Sequence, residues 1–145
     1  MKFQEVRGDL FGGSQSASLA HCISEDCRMG KGIAKIFLEK FGGVADLKKQ
    51  VAEGHKTGSV CVLERQNRCI YYLITKVKYS DKPTYDSLRS SLTAMREHCS
   101  QHGVKELAMP KIGCGLDGLN WERVREMLKE VFDGVEGLVI TVYYL

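Results

Sequence analysis

Between Leu107 and Trp121 the chain reads LAMPKIGCGLDGLNW, an apolar strand that runs into a loop punctuated by glycines and then into a helix. A strand, loop and helix in that succession place the chain among folds that alternate the two elements. Glycines at 113, 115 and 118 remove the Cβ atoms that would keep backbone N–H groups away from a diphosphate. The helix that follows is expected to present its positive N-terminal end to the same anion. One carboxylate, Asp117, sits inside this loop, where holding a phosphate requires no negative charge, so it points to chemistry beside the phosphates. The same residues also suit an ordinary tight strand-to-helix turn, and the stretch alone leaves both readings open.

A chain of 145 residues makes one domain, residues 1–145, that buries about two-thirds of its unfolded surface. A hydrophobic share of 43% and a charged share of 27% are those of a globular protein. The net charge of +3 is spread along the chain; it admits an anionic ligand without arguing for a dedicated nucleic-acid binder. No run approaches the ~18 apolar residues of a membrane span. The start MKFQE is no signal peptide. The expectation is an intracellular protein with no membrane partner. The six cysteines, 22, 27, 61, 69, 99 and 114, form no C-x-x-C pair and read as small buried hydrophobes in a reducing compartment. His98 and His102 stand one helical turn apart around Cys99 but lack a second ligand pair, so they read as solvated surface and no metal is expected.

Lys2 to Arg7 reads as a first strand and Ala17 to Ser24 as a buried second one. Lys31 to Phe41 and Val44 to about Glu53 carry helical spacing, separated by Gly42-Gly43. Ser59 to Glu64 and Arg68 to Thr75 form two β-rich runs joined by Arg65-Gln66-Asn67, a hairpin signal. Tyr85, Leu88, Leu92, Met95 and Cys99 recur in steps of three and four, a long amphipathic helix with Gly103 past its end. Glu106 to Met109 is a strand, Asn120 caps a helix carrying Trp121, Val124, Leu128 and Val131, and Leu138 to Leu145 is the last strand. Such an order predicts an α/β protein, a three-layer α/β/α sandwich around a mixed β-sheet. Its ligand crevice would lie beyond the carboxyl ends of the strands. Gly8 to Gly13, Ser24 to Gly32 and Lys111 to Asp117 are the loops that would share it.

Lys76 closes the strand CIYYLIT. With Lys78 and Lys82 nearby it reads either as a solvated boundary or as a nucleophilic amine, whose partial burial and cationic neighbours disfavour the charged form. Asp117 would complement it as a general base or as the group that orients water. Asp9, directly after the first strand, can accept from an exocyclic amine such as that of adenine, or can simply close an Asx-turn. Ser24 to Gly32 either offers N–H groups to a second anion or makes an ordinary capped helix start.

Six blocks together resemble the macrodomain family: VRGDLF (Val6 to Phe11), HCISEDCRMG (His21 to Gly30), KFGG (Lys40 to Gly43), YYLITK (Tyr71 to Lys76), KPTY (Lys82 to Tyr85) and MPKIGCGLD (Met109 to Asp117). They cover essentially the whole chain in the right order. The resemblance is closest to the branch of terminal ADP-ribose protein glycohydrolases, which are also O-acetyl-ADP-ribose deacetylases. Many hydrolytic macrodomains carry an Asn-x-Asn stretch and a Gly-Gly-Gly-Val-Asp-type loop; here Ser24 to Gly32 lacks that pattern. The branch instead uses a lysine and an aspartate, which fall on Lys76 and Asp117. The resemblance implies that Asp9 and Leu10 contact adenine. Lys111, Ile112, Gly113, Cys114, Gly115 and Leu116, with Asp117, would wrap the diphosphate and distal ribose. Ser24 and the amides near Gly30 would line the distal ribose, and Leu145 would be a further contact.

The activity implied is removal of terminal or mono-ADP-ribose from acidic side chains of proteins, together with cleavage of O-acetyl-ADP-ribose. Lys76 would attack C1 of the distal ribose after ring opening, and Asp117 would serve as the acid/base, with no metal or cofactor. The implied partners are ADP-ribose, ADP-ribosylated proteins and O-acetyl-ADP-ribose, with poly-ADP-ribose or ADP-ribosylated nucleic acid as further candidates. The implied setting is a monomer in the nucleus or cytoplasm, within the DNA damage response. Three rivals remain at this point: a non-catalytic ADP-ribose reader, a hydrolase of ADP-ribosylated nucleic-acid bases, and a phosphatase acting on ADP-ribose phosphate.

Overall fold

Successive strand residues alternate between two separate cores. Along Arg68–Lys76 the side chains of Tyr71 and Leu73 enter one core, while Ile70, Tyr72 and Ile74 enter the other. A strand buried on both faces needs a layer of helices on each side. The computed structural model, which describes residues 1–145, has that arrangement. Its strands are β1 (Lys2–Arg7), β2 (Ser18–Ser24), β3 (Ser59–Arg65), β4 (Arg68–Lys76), β5 (Glu106–Met109) and β6 (Val139–Tyr144). Its helices are α1 (Gly32–Phe41), α2 (Val44–Ala52), α3 (Tyr85–Gln101) and α4 (Trp121–Val131).

The sheet order is β1-β6-β5-β2-β4-β3, and only β3 runs antiparallel to its neighbour. Helices α3 and α4 seal one face through Leu88, Leu92, Met95, Val124 and Leu128. Helices α1 and α2 seal the other through Phe37, Phe41, Leu47 and Val51. The expected three-layer sandwich around a mixed sheet is therefore present, and element limits agree within a residue or two. The hairpin turn is tighter than the three residues expected: Gln66 and Asn67 alone make it, both at positive φ (56° and 61°), the twist that matches a two-residue connection. Two short 3-10 turns, Leu10–Gly12 and Gly115–Asp117, carry no sequence periodicity and go unseen at that level.

Because β1, β2, β4, β5 and β6 are mutually parallel, their carboxyl ends lie on one side of the sheet. The loops after Arg7, Ser24, Lys76 and Met109, with Leu145 after Tyr144, lie on that side. That shared side places the site.

Candidate active site

The carboxyl ends frame a depression of about 460 Å³. Its walls include Asp9, Leu10 and Phe11 from the first loop, Ile33 and Ile36 from α1, Lys111 and Gly115 from the glycine loop, and Tyr143 to Leu145 at the end of β6. The lining is mostly apolar and aromatic with a few polar groups at the edges, the composition of a small-molecule site.

Asp9 caps the first 3-10 turn, and its Oδ1 accepts from the Phe11 amide at 3.1 Å. The Asx-turn and the binding role are thus compatible, since the carboxylate has a second oxygen. Leu10 is buried at the base of the depression. Lys111 is exposed, with Nζ 5.0 Å from the Tyr144 ring centroid, so a cation stands at the wall of the depression.

The glycine loop divides its labour. Gly115 (φ +75°) and Cys114 reach the depression, whereas Ile112 is buried in the core. At Gly113 (φ +73°) an added Cβ would stand 2.8 Å from Leu119 Cδ1, so this glycine answers the loop's own packing and not a ligand's approach. Leu116 is 72% exposed and Gly30 lies outside the walls. Ser24 is buried, and its hydroxyl donates to Asp26. Burial alone would raise the Asp26 carboxyl, but that bond and those from the Tyr79 (2.9 Å) and Arg28 (3.1 Å) amides hold it below the usual range. Ser24 thus braces the loop between β2 and α1 from within.

One expectation fails. Helix α4 does not aim its N-terminus at the depression. Asn120 takes the Arg123 amide at 3.2 Å, and the helix start borders a different hollow with Tyr85 and Arg89. The Trp121 indole donates to Glu5 at 2.8 Å, which turns this end toward β1. The helix whose start does adjoin the depression is α1, and no side chain caps it. Its first-turn amides are therefore the free donors on this side.

Lys76 and Asp117 do not line the depression themselves; beyond the same carboxyl ends, Lys76 Nζ donates to Asp117 Oδ1 at 2.8 Å, with the side chains 13% and 20% exposed. The anticipated cationic neighbours are not what the amine meets: Lys82 donates to the Leu116 carbonyl, and a carboxylate contacts Lys76. Two cysteines lie near this pair. Burial first, and then the Asp117 charge, push the Cys22 thiol up to about 12; burial also raises Cys114. Both stay neutral thiols at neutral pH and make poor nucleophiles. Lys76, by contrast, has a carboxylate base in contact.

Sequence reading placed Phe11 only within a crevice loop and missed Ile33, Ile36, Tyr143 and Tyr144 as walls. Their apolar spacing fits core faces and strands equally well, so only the tertiary arrangement reveals them. His98 and His102 are not merely solvated: their rings stack at 3.8 Å, and His98 Nδ1 and the Tyr71 hydroxyl share a 2.7 Å hydrogen bond. No group of three His, Cys, Asp or Glu side chains converges to hold a metal ion.

Residues 20–128 match the family described as "Macro domain". The chain is 56% identical over 140 residues to the human "ADP-ribose glycohydrolase OARD1", covering 97% of this chain and 90% of that one. Among solved structures, the "Macrodomain of Thermus aquaticus DarG" superposes with a TM-score of 0.88 at 24% identity, covering 99% of this chain and 98% of that one. The "Thermosipho africanus DarTG in complex with ADP-ribose" superposes at 0.83 with 22% identity, over 95% of this chain and 40% of that one.

Proposed function

The chain belongs to the macro domain family, and from that premise we propose that it is an ADP-ribose glycohydrolase. It releases ADP-ribose joined through the distal ribose to acidic side chains of proteins, and it also cleaves O-acetyl-ADP-ribose. Two things support the reading: a human relative of that name 56% identical over nearly the whole chain, and the 2.8 Å contact between Lys76 and Asp117. The contact supports the reading, because a site that only held the nucleotide would gain nothing from a nucleophile and a base side by side.

In this reading adenine sits against Leu10 and Phe11 with its exocyclic amine on Asp9. The diphosphate lies between Lys111, the glycine loop and the start of α1, and the distal ribose reaches Lys76. Asp117 takes a proton from the amine. By direct displacement on the closed ring, in place of the ring-opened attack that the resemblance implies, Nζ then bonds to C1 of the distal ribose, and the bond from C1 to the acyl oxygen breaks with its electron pair leaving on the acceptor carboxylate. In the second half, water supplies hydroxyl to C1 as the C1–N bond breaks. Asp117 returns a proton to the departing amine and takes one from the water, and the proton left over passes to solvent. No metal or cofactor enters either half.

A carboxylate among diphosphate-binding amides weakens ground-state binding, so its place is explained by the reaction. The same reading carries the action of a monomer and a nuclear or cytoplasmic setting. The test is incubation with a glutamate-linked mono-ADP-ribosylated protein and assay for free ADP-ribose. Release by the wild-type protein supports the proposal; binding of ADP-ribose with no release would make the domain a reader.

A further inference from the structure

The turn that opens α3 bonds to the residue before each half of the reacting pair. Lys82 Nζ donates to the carbonyl of Leu116, the residue immediately before Asp117. At the far end of the same loop, the Tyr85 hydroxyl accepts from the Asn120 amide at 3.0 Å. In the other direction, Ser87 Oγ donates to the carbonyl of Thr75, immediately before Lys76, at 2.7 Å. The turn itself is firmly set. Thr84 N donates to Ser87 Oγ at 3.1 Å and Ser87 N donates to Thr84 Oγ1 at 3.0 Å, a reciprocal cap. Pro83 precedes it with a fixed φ and lies buried. One turn therefore grips the backbone one residue upstream of each catalytic side chain.

On the Asp117 side the other holds are the bond to Lys76 and the packing of Ile112, Cys114 and Leu119 against the core; the segment between Cys114 and Leu119 is otherwise open. Gly115 and Gly118 both stand at positive φ, and the Leu116 side chain projects into solvent. The loop's own bonds, Leu119 N to Gly113 O at 2.9 Å and Gly118 N to Gly115 O at 3.0 Å, close it on itself without tying it to β4. Besides the Lys76–Asp117 bond itself, backbone ties to the turn next to Lys76 come from Lys82 and Tyr85. A lysine suits this position because its long stem spans the gap between loops. Its charged donor also makes a stronger bond to a carbonyl than a neutral one would.

We propose that Lys82 is a positioning residue for the reaction, with Tyr85 in support, and that it holds the Asp117 carboxylate within hydrogen-bonding reach of the Lys76 amine without itself binding the nucleotide. The inference rests on the reading of Lys76 and Asp117 as the catalytic pair. Misplacing a reacting group by an ångström costs on the order of 10²-fold in rate, so a solvent-exposed bond of small worth to stability governs turnover.

The test compares Lys82→Ala, Lys82→Arg, Tyr85→Phe and Lys78→Ala in steady-state release of ADP-ribose, ADP-ribose affinity and amide exchange over residues 113–120. Lys82→Ala should lower kcat by roughly 10–100-fold while KM and ADP-ribose affinity stay within about threefold. Exchange of the loop amides should quicken in the same variant. Lys82→Arg restores the donor and should recover most of the rate. Tyr85→Phe keeps the ring beneath Arg123 and should show a smaller loss in the same direction. Lys78→Ala removes an equal charge from the same segment and should behave as wild type. Wild-type kcat in Lys82→Ala, a loss confined to affinity, or equal damage in Lys78→Ala would overturn the inference. Loop exchange is read without substrate, so it separates the two claims. Unaltered exchange in Lys82→Ala removes the clamp even in an active enzyme, whereas a wild-type protein that releases no ADP-ribose removes the glycohydrolase reading.

Discussion

The Lys76 amine and the Asp117 carboxylate meet at 2.8 Å across 41 residues of chain. Each is set by a different parallel strand: Lys76 is the last residue of β4, and Asp117 lies in the loop that leaves β5. Strand β2 lies between those two in the sheet, so the side chains close a gap above its end, where Ser24 pairs in register with Lys76. The contact is thus a product of topology, and its consequences can be separated residue by residue.

Asp9 has two roles that two substitutions divide. Asp9→Ala should weaken ADP-ribose binding by roughly 1.5–3 kcal/mol, the worth of a charge-assisted hydrogen bond. Asp9→Asn keeps an oxygen for the Phe11 amide but can turn an amide donor toward the adenine amine, so it should bind as poorly as Asp9→Ala while melting like wild type. Calorimetric titration and thermal unfolding decide this. Undiminished affinity in both variants would take Asp9 out of the adenine site.

Asp117→Ala should bind ADP-ribose at least as well as wild type and should no longer turn over. Removing a negative charge from among diphosphate-binding groups relieves repulsion in the ground state, while the acid/base is lost. Any lysyl adduct that forms should persist, and intact-mass spectrometry would read it as the gain of one ADP-ribose. Full activity in this variant would reduce Asp117 to a turn residue.

Acid should destabilise the fold through His21. This ring is wholly buried against Phe37 at 3.8 Å, neither nitrogen has a partner, and burial pushes its pKa down to about 3. The unfolded chain takes up a proton near pH 6.5, which the folded state refuses until about pH 3. The stability that follows is fully present above pH 6.5 and is lost as pH falls toward the folded value, by up to about 1.4 kcal/mol per pH unit. Denaturant unfolding at about pH 7, 6 and 5 should show that slope, and His21→Leu should flatten it. Parallel slopes in the two proteins would contradict the assignment.

The sandwich was largely legible because its signals are local. The three-and-four spacing from Tyr85 to Cys99 marks a helix, and the two β-rich runs either side of Arg65-Gln66-Asn67 mark a hairpin. What was not legible depends on distance through the fold. Ile33 and Ile36 share the apolar spacing of a core-facing helix, yet they face the ligand crevice. The glycine loop predicted a helix N-terminus at the anion, but α4 starts beside Glu5 of β1 and it is α1 whose start adjoins the depression. Ser24 reads as a polar loop residue, and only packing shows that Asp26 engages its hydroxyl.

The central claim is that the Lys76 amine does the chemistry, and the most direct test is the rate of ADP-ribose release by Lys76→Ala from a glutamate-linked substrate. Loss of a covalent nucleophile should lower that rate by at least ~10³-fold, with ADP-ribose affinity held within several-fold of wild type. Release at the wild-type rate by a well-folded Lys76→Ala protein would contradict the account.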